Sequence, residues 1–538
     1  MDNQQPLNRC FVGAMMHCPN GQRDVEIIPR AVLMVDAQGN IEKLVPVPID
    51  MKAEDAVIFA GVPKYGQRPQ VVELLAGEFL IPGFIDTHIH APQFQFAGTG
   101  TAVSLMEWLQ EFAYPAEKRM DDAEFAKLVY NKLLSYLIRN GTTTAVYFGS
   151  IQLEANKVLA DLCIHYGQRA YVGKVAMDQN GGPGYVETTE ESLKATEAFI
   201  EYVLGKKNPL VTPIVTPRFI PTCSSKARLL TGLGKLAKKY NVAIQSHISE
   251  SNDEISDNSD AETFESHGLL SSRCVMAHGV KLHSSDVSLL VSKGSTVAHC
   301  PLSNHFFANG VFPAKRWMHH GLNISLGTDI AGGYSTSMLS SIRHAVTSSR
   351  ALNDLAPTAH KTAGFDIMNW REAFYLATMG GAKALGLERT IGSFDVGKSF
   401  DAIHVNCSDS LVNKPGAGGG FGFGGGLGRD KDGGFGFGWG GGGGAGGGDG
   451  KKGAGGGLGG GFGGGWSRDG GAGIGGGFGA GAGGGENSPS FNNPVPCFKN
   501  DDLAQIIEKF INLGDDRNIY SVFIGGKQIV YYGRMAVN

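Results

Sequence analysis

The chain has 538 residues, and more than half of its 80 glycines lie in residues 416–485. Outside that tract the glycine content is ordinary, so we expect a globular protein with one large domain and a smaller one. The formal net charge of -4 argues against nucleic-acid binding through bulk electrostatics, and the tract lacks the three-residue repeat of a collagen.

The distribution of apolar residues and cysteines predicts a cytoplasmic protein that does not associate with membranes. The sequence contains no apolar run of about 18 residues that could cross a bilayer. Its first ten residues lack the basic and then apolar order of a secretory signal. The eight cysteines are scattered and form no CxxC pair, which is typical of reduced thiols rather than of a disulfide framework.

The predicted elements begin with short β-type segments in residues 1–81. The run Ala31–Val35, followed by a Gln-Gly-Asn turn, is typical of a small β domain. From residue 82 to 385, short apolar segments alternate with longer helical ones, as where the helix-like Glu124–Arg139 precedes the apolar Thr142–Phe148. Such alternation indicates repeated βα units, and their number favours a closed (β/α)8 barrel in an α/β fold.

After residue 385 the pattern returns to β structure. Residues 386–538 contain the β-type Asp401–Val405 before the glycine tract and two further β-type runs after it. We expect residues 1–81 and 386–538 to meet in a small β-sandwich domain beside the barrel. Because glycine loses the most backbone entropy on ordering, we expect residues 416–485 to be a disordered Gly-rich insertion, with weak self-association through its aromatics as the alternative.

The segment Phe84–His90 contains two histidines separated by one residue. Alternate side chains of a strand share a face, so His88 and His90 would project together and could share one metal ion. Taken alone, the pair fits equally well with two strand histidines that bind nothing.

Further polar residues end later apolar runs of the predicted barrel. Barrel enzymes carry their catalytic groups at the C-terminal ends of strands, where the groups converge on one pocket. Several buried ionisable residues in such positions usually mark a functional site. The residues in question are His247, His278, His299 and Asp329.

These segments resemble the motifs of the amidohydrolase superfamily. Pro82–His90 is similar to its opening motif, and its later motifs follow in order at Ser246–Glu250, Ala277–Gly279, His299–Pro301 and Gly327–Asp329. More narrowly, other segments resemble the guanine deaminase family: Asn140–Thr144, Gly167–Ala170, Pro213–Phe219, Gly332–Ser335 and Gly514–Ile519. The resemblance covers nearly the whole chain outside the glycine tract.

The resemblance implies one zinc ion per chain, held by His88, His90, His247 and Asp329. Three neutral imidazoles and a carboxylate suit Zn²⁺ and leave a position for water, whose pKa zinc lowers from about 15.7 to near 7. By the same resemblance, Asp329 accepts the water proton and Glu250 carries a proton to the ring nitrogen and the leaving amine. His278 would orient the water, and a ligand role for it stays open.

The resemblance also implies a pocket for guanine and its hydrolysis to xanthine and ammonia, in a homodimer. Gln93 would hydrogen-bond the purine edge, Arg218 would donate to the carbonyl oxygen, and Phe219 would pack on the ring. The predicted substrate contacts are His90, Ala91, Pro92, Gln93, Arg218, Phe219, His247, Glu250 and Asp329. Judged without the resemblance, Gln93 is equally a surface amide and Phe219 equally a core aromatic.

Departures and alternatives accompany this interpretation. Leu302 stands where the family often has Asn, which bears on substrate contacts. Residues 392–399 fit the GxxxxGK[ST] pattern, but a predicted strand follows rather than a helix, so we do not expect phosphate binding. Lys174 could suggest a carbamylated lysine between two metals, whereas the resemblance is to mononuclear sites.

Two other functions stay open. The first is a related aminohydrolase that acts on another purine, a pterin or a triazine. The second is a catalytically inactive barrel that serves as a scaffold, with the glycine tract as its adhesive part. The intact polar set argues against an inactive barrel.

Overall fold

The computed structural model describes residues 8–62, 69–224, 228–252, 259–355, 367–408, 494–497, 501–531 and 533–536, together with the backbone of four strands between 420 and 480. The chain divides into two compact units. The first unit comprises Met1–Ser408 with Asp501–Asn538, and the second comprises Asp409–Asn500.

The strands are numbered in chain order. They are β1 (Arg9–His17), β2 (Glu26–Val35), β3 (Ile41–Pro46), β4 (Gln70–Glu73), β5 (Glu78–Pro82), β6 (Phe84–His90), β7 (Thr142–Phe148), β8 (Arg169–Gly173), β9 (Val175–Ala176), β10 (Val211–Pro217), β11 (Ala243–Ile248), β12 (Cys274–His278), β13 (Thr296–His299), β14 (Asn323–Leu326), β15 (Ala402–Asn406), β16 (Gly420–Arg429), β17 (Phe435–Gly444), β18 (Leu458–Trp466), β19 (Ala472–Ala480), β20 (Ile519–Ile524), β21 (Lys527–Tyr531) and β22 (Arg534–Met535).

The α-helices are numbered in the same way. They are α1 (Ala53–Phe59), α2 (Leu105–Trp108), α3 (Tyr114–Lys118), α4 (Ala123–Arg139), α5 (Leu153–Tyr166), α6 (Thr189–Gly205), α7 (Leu229–Tyr240), α8 (Asp260–Ser266), α9 (Ser284–Lys293), α10 (Pro301–Phe306), α11 (Ala314–His319), α12 (Met338–Leu355), α13 (Trp370–Tyr375), α14 (Gly381–Ala384) and α15 (Leu503–Leu513). Within the described residues, none of these helices is both long enough and apolar enough to span a bilayer.

Local signals in the sequence set the ends of the barrel helices. α4 begins where the Asp122 carboxylate accepts hydrogen bonds from the first free N–H groups of the helix, a standard N-cap. α5 ends at Gly167, whose φ of 69° is the left-handed conformation that glycine adopts without a steric penalty. The glycine therefore ends α5 two residues before β8 begins at Arg169.

The predicted (β/α)8 barrel is confirmed. Its parallel strands follow the order β6, β7, β8, β10, β11, β12, β13 and β14, with β9 pairing beside β10. The barrel closes where the residues in and after β14 meet β6. The Asp329 N–H donates to the His88 carbonyl at 2.9 Å, and the Thr87 hydroxyl donates to the Leu326 carbonyl at 2.8 Å.

The predicted meeting of the N- and C-terminal segments in a β domain is also observed. β5 pairs antiparallel with β15, and β15 pairs antiparallel with β20, so both chain segments share one nine-stranded sheet. The sheet branches at β1, which pairs with β2, β4 and β5. Phe11, Phe400 and Phe523 pack together in its core, with Phe11 stacked on Phe400. Barrel and sheet belong to one compact unit, and the domain boundaries at residues 81 and 385 stay predictions.

Lys174 and residues 392–399, which the sequence offered as possible ligand sites, have structural roles. The buried Lys174 ammonium donates to the Glu187 carboxylate at 2.5 Å, an ion pair outside the metal-capable clusters of the described residues. In residues 392–399, the Lys398 ammonium donates to Asn20 and Ser393 at 2.8 and 2.6 Å. This loop is thereby fixed to the N-terminal segment and leads into β15.

The second unit contains the glycine tract. Its described backbone forms a four-stranded antiparallel sheet in the order β16, β17, β18 and β19. The register places Leu427 opposite Phe437 and Trp439 opposite Phe462. The rest of residues 416–485 lies outside the described part of the chain, and the expected disorder of this insertion stays a prediction.

Candidate active site

Four histidines and an aspartate converge at the C-terminal ends of the barrel strands. His90 Nε2 lies 3.0 Å from His247 Nε2. Asp329 Oδ1 lies 3.2 Å from His88 Nε2 and 3.6 Å from His90 Nε2, and Asp329 Oδ2 lies 3.7 Å from His278 Nε2. Two overlapping groups, one of His88, His90 and His247 and one of His88, His278 and Asp329, have spacings that can hold a metal ion.

The hydrogen bonds of the ring nitrogens support a metal site. His247 Nδ1–H donates to the Arg218 carbonyl at 2.6 Å, which leaves a lone pair on His247 Nε2. A proton or a cation must therefore lie between His247 Nε2 and His90 Nε2. His88 Nε2 has no hydrogen-bond partner among the described residues. A carbonyl that fixes the tautomer of a histidine is the usual support of a metal ligand.

Burial sets the charge states of this cluster. It lowers the pKa of His88, His90 and His247 well below the ordinary value, so these imidazoles are neutral at physiological pH, as metal ligands must be. Burial, and after it the carboxylate of Asp329, raises the pKa of Glu250 well above its ordinary value. This shift favours the protonated form of Glu250.

The strand ends that carry these residues have unusual backbone conformations. His278 and Asp329 have φ angles of 74° and 51°, in the left-handed region that non-glycine residues seldom occupy. The buried Asp86 carboxylate supports this turn, because it accepts hydrogen bonds from the Thr328 N–H at 3.0 Å and the Thr328 hydroxyl at 2.5 Å. Strand β6 thus supplies His88 and His90, and its Asp86 fixes the turn that carries Asp329.

The cluster contributes to the lining of a cavity that is open to solvent. Its lining combines polar and apolar side chains, as small-molecule sites usually do. The lining residues are His90, Gln93, Leu105, Trp108, Leu109, Arg218, Phe219, His247, Glu250, His278, Ser303, Phe307, Asp329 and Gly332.

The structure therefore brings most of the sequence-predicted site residues together. The exceptions lie nearby. Ala91 and Pro92 are buried in the 3-10 turn Ala91–Phe96 and are not among the residues that line the cavity. His299 packs against Phe312 and belongs to neither metal-capable group of the described residues. Leu302 is buried but does not line the cavity, so the departure noted at this position does not face a ligand there.

Known proteins match the chain along nearly its full length. Residues 79–420 match the amidohydrolase family. The chain belongs to the amidohydrolase family. It is 32% identical to the guanine deaminase of Dictyostelium discoideum over 97% of this chain and 98% of that protein. The identity to the guanine deaminase of Mus musculus is 36%, over 86% of this chain and 85% of the relative.

A solved amidohydrolase-family structure agrees with this placement. The guanine deaminase from C. acetobutylicum, with guanine bound in its active site, has a TM-score of 0.72 to this chain at 26% sequence identity. The match covers 97% of this chain and 100% of that one. The family membership that the sequence motifs predict is confirmed.

Several residues of this amidohydrolase site escaped the sequence analysis. Ser303 and Asn304 stand two and three positions after the His299–Pro301 motif, which is a signal that could have found them. His278 Nδ1–H donates to Asn304 Oδ1 at 2.9 Å. No recognisable motif marks the others, which are Leu105, Trp108, Leu109, Glu117 and Phe307.

Proposed function

We propose that this protein hydrolyses guanine to xanthine and ammonia. The observation that carries the proposal is the convergence of the predicted metal ligands, Glu250 and Arg218 on one cavity. This cavity belongs to a chain that aligns with guanine deaminases over nearly its entire length. An intact set of neutral imidazoles and carboxylates is what an active hydrolase needs, so an inactive scaffold is not favoured.

We propose that His88, His90, His247 and Asp329 hold one zinc ion. Neutral imidazoles with one carboxylate are a donor set that Zn²⁺ prefers, and the tautomer of His247 directs a lone pair toward the other ligands. When bound, zinc supplies a water whose pKa falls from about 15.7 to near 7. His278 has its Nδ1 engaged by Asn304, so its Nε2 faces Glu250 and Asp329 at 3.6 and 3.7 Å, where it would orient that water.

Proton transfer would fall to the two buried acids. Asp329 is placed to accept the proton of the attacking water, because its oxygens face three of the histidines. Burial raises the pKa of Glu250, which favours its protonated form, and Glu250 would deliver that proton to the ring nitrogen. It would then take the water proton from Asp329 and pass it to the amine as the C–N bond breaks. The hydroxyl proton of the adduct would return to Glu250 as the carbonyl forms. The hydrolysis then leaves a carbonyl in place of the 2-amino group and releases ammonia.

Guanine recognition would use other residues that line the same cavity. Arg218 and Gln93 both line it and both carry N–H donors, which fit the carbonyl oxygen and the ring nitrogen at one edge of guanine. Phe219 lines the same cavity and offers a ring for the flat face of the purine. Ala91 and Pro92 would act through the turn that positions Gln93.

An ultraviolet assay with guanine and adenine side by side tests the function. We expect guanine turnover with strong discrimination against adenine, because a site built to donate to a carbonyl oxygen rejects a ligand that lacks it. The metal content of the same sample is expected to be about one zinc per chain. Equal turnover of both purines would instead favour the broader aminohydrolase, and a metal-loaded protein inactive on every purine would refute the proposal.

We also propose that the enzyme is a cytoplasmic homodimer. All eight cysteines are free and buried, which fits a reducing compartment. Light scattering on the purified chain tests the dimer, since a monomeric mass at micromolar concentration would contradict it. Cell fractionation tests the compartment.

A further inference from the structure

Glu117 is a buried carboxylate that contacts two residues lining the cavity, Arg218 and Gln93. It lies on α3, and its solvent exposure is 0%. Its oxygens accept four hydrogen bonds. Arg218 Nη1 and Nη2 donate at 2.6 and 3.0 Å, Gln93 Nε2 donates at 2.8 Å, and the Tyr185 hydroxyl donates at 2.6 Å.

This arrangement fixes the plane of the Arg218 guanidinium. A bidentate pair between a guanidinium and a carboxylate has one planar geometry, and the Tyr114 ring lies 4.9 Å from Arg218 Cζ on the guanidinium's face. Glu117 engages two of the five N–H groups of Arg218, and Arg218 also lines the cavity. A buried carboxylate without such partners would be strongly destabilising, which makes a rearranged pair unfavourable.

The same carboxylate sets the orientation of the Gln93 amide. A carboxylate accepts hydrogen bonds, so the Gln93 atom facing Glu117 is Nε2. The Ala331 backbone N–H donates to Gln93 Oε1 at 3.2 Å, which requires oxygen on the other side. With both ends fixed, the remaining N–H of Gln93 is a donor, and Gln93 and Arg218 line the same cavity.

We propose that Glu117 is a positioning residue that determines substrate selectivity. By holding Arg218 and Gln93 as donors, it makes the cavity select a purine edge that carries acceptors, and reject an edge with an amino group in place of the carbonyl oxygen. This inference rests on the proposed guanine hydrolysis, because it assigns the origin of the guanine preference to a residue outside the reacting centre.

The variant Glu117→Gln tests the inference with two substrates. One is guanine, and the other is 2,6-diaminopurine, which keeps the 2-amino leaving group but carries an amino group in place of the carbonyl oxygen. Loss of charge-assisted hydrogen bonds predicts a KM for guanine raised about ten- to a hundredfold, with a smaller change in kcat. The ratio of kcat/KM for guanine over diaminopurine should fall by about tenfold or more, while zinc content stays the same.

Three companion variants make the result specific to Glu117. Asp401→Asn breaks another buried pair, between Arg169 and Asp401 at 3.3 Å, where β8 begins rather than ends, and should leave the substrate ratio unchanged. Tyr185→Phe removes one donor to Glu117 without changing charge, and should lower the ratio severalfold even if Glu117→Gln does not fold. Arg218→Met removes the donor itself and therefore gives the lowest ratio of kcat/KM for guanine over diaminopurine that loss of positioning could produce.

The outcomes separate this inference from the function on which it rests. An unchanged ratio in both Glu117→Gln and Tyr185→Phe would overturn the positioning role, as would an equal fall in Asp401→Asn. Absence of guanine turnover in the parent would refute the proposed function instead. In that case the preference is measured as the shift in melting temperature that guanine and diaminopurine each cause in the metal-loaded parent and variants. An unchanged preference for guanine in the variants would then overturn the positioning role.

Discussion

At the scale of single residues, a substitution of Glu250 should impair proton transfer without affecting metal binding. Glu250→Gln keeps the size of the side chain but removes its acidic proton, so turnover of guanine should fall about 10²- to 10⁴-fold. Zinc content should be unchanged, because Glu250 belongs to neither metal-capable group of the described residues. Steady-state kinetics with metal analysis on one sample checks both, and near-normal kcat would remove Glu250 from the mechanism.

His247 should show the opposite behaviour. His247→Ala removes a ligand whose tautomer is fixed by the Arg218 carbonyl, so we expect loss of both the bound zinc and activity. The matched control is His299→Asn, which changes another buried histidine at a strand end outside the metal-capable groups of the described residues. This control should retain zinc. Metal loss in both variants, or in neither, would contradict the assignment.

Some residues of this site can be predicted from the sequence alone, and others cannot. His88 and His90 could be predicted because alternation in a strand is a local rule, and Asp329 because it ends an apolar run. Glu117 could not be predicted, since its partner Arg218 is 101 positions away along the chain. Only the folded barrel brings the two together, and no pattern around Glu117 distinguishes it from a solvent-exposed helix acid.

At the scale of elements, the end of β1 contains a buried histidine that should make folding stability depend on pH. Burial lowers the pKa of His17 to about 4; the nearby Asp395 carboxylate raises it more weakly, and the Lys398 ammonium lowers it further. His17 Nδ1 accepts a hydrogen bond from the Phe394 N–H at 3.1 Å, which needs the neutral ring. The folded state therefore binds fewer protons than the unfolded one between about pH 6.5 and 4.

The consequence is a loss of stability as pH falls through this window. The contribution of His17 is fully present above about pH 6.5, and its loss reaches at most about 3 kcal/mol near pH 4. In His17→Gln this titration is absent, so the stability difference between parent and variant should shrink from pH 7.5 to 5. Denaturant unfolding measures it, with the exposed His165→Gln as control. A difference that stays constant with pH would contradict the expectation.

Elements were predictable where a period or a cap marked them. The alternation of apolar runs with helices identified the barrel, and the β-type segments at both ends identified the small sheet. The pairing of β5 with β15 and the branch at β1 followed from contacts between distant segments, which no local period encodes. The stretch Leu105–Lys118 breaks into short helices around a π-helical turn at Leu109–Ala113, so it gave no sustained helical pattern.

At the scale of the whole molecule, the first unit is continuous in space although the glycine tract interrupts it in sequence. β15 ends at Asn406, and its antiparallel partner β20 begins at Ile519. In between, α15 is held by Arg343, whose side chain donates to the carbonyls of Ile511 and Gly514 at 2.7 and 2.5 Å. All of these elements belong to the unit that contains the barrel.

Removal of residues 416–485 should therefore leave the fold and the deaminase activity largely intact. The cost of closing a loop rises only by about 0.6 kcal/mol per doubling of its length, so a long insertion needs no packing of its own to be tolerated. A short Gly/Ser link in place of the tract keeps the route from β15 to α15. We expect guanine kcat/KM within about twofold of the parent and a melting temperature within a few degrees. A large fall in either would show that the tract packs on the fold or shapes the cavity, and it would refute the disordered-insertion prediction.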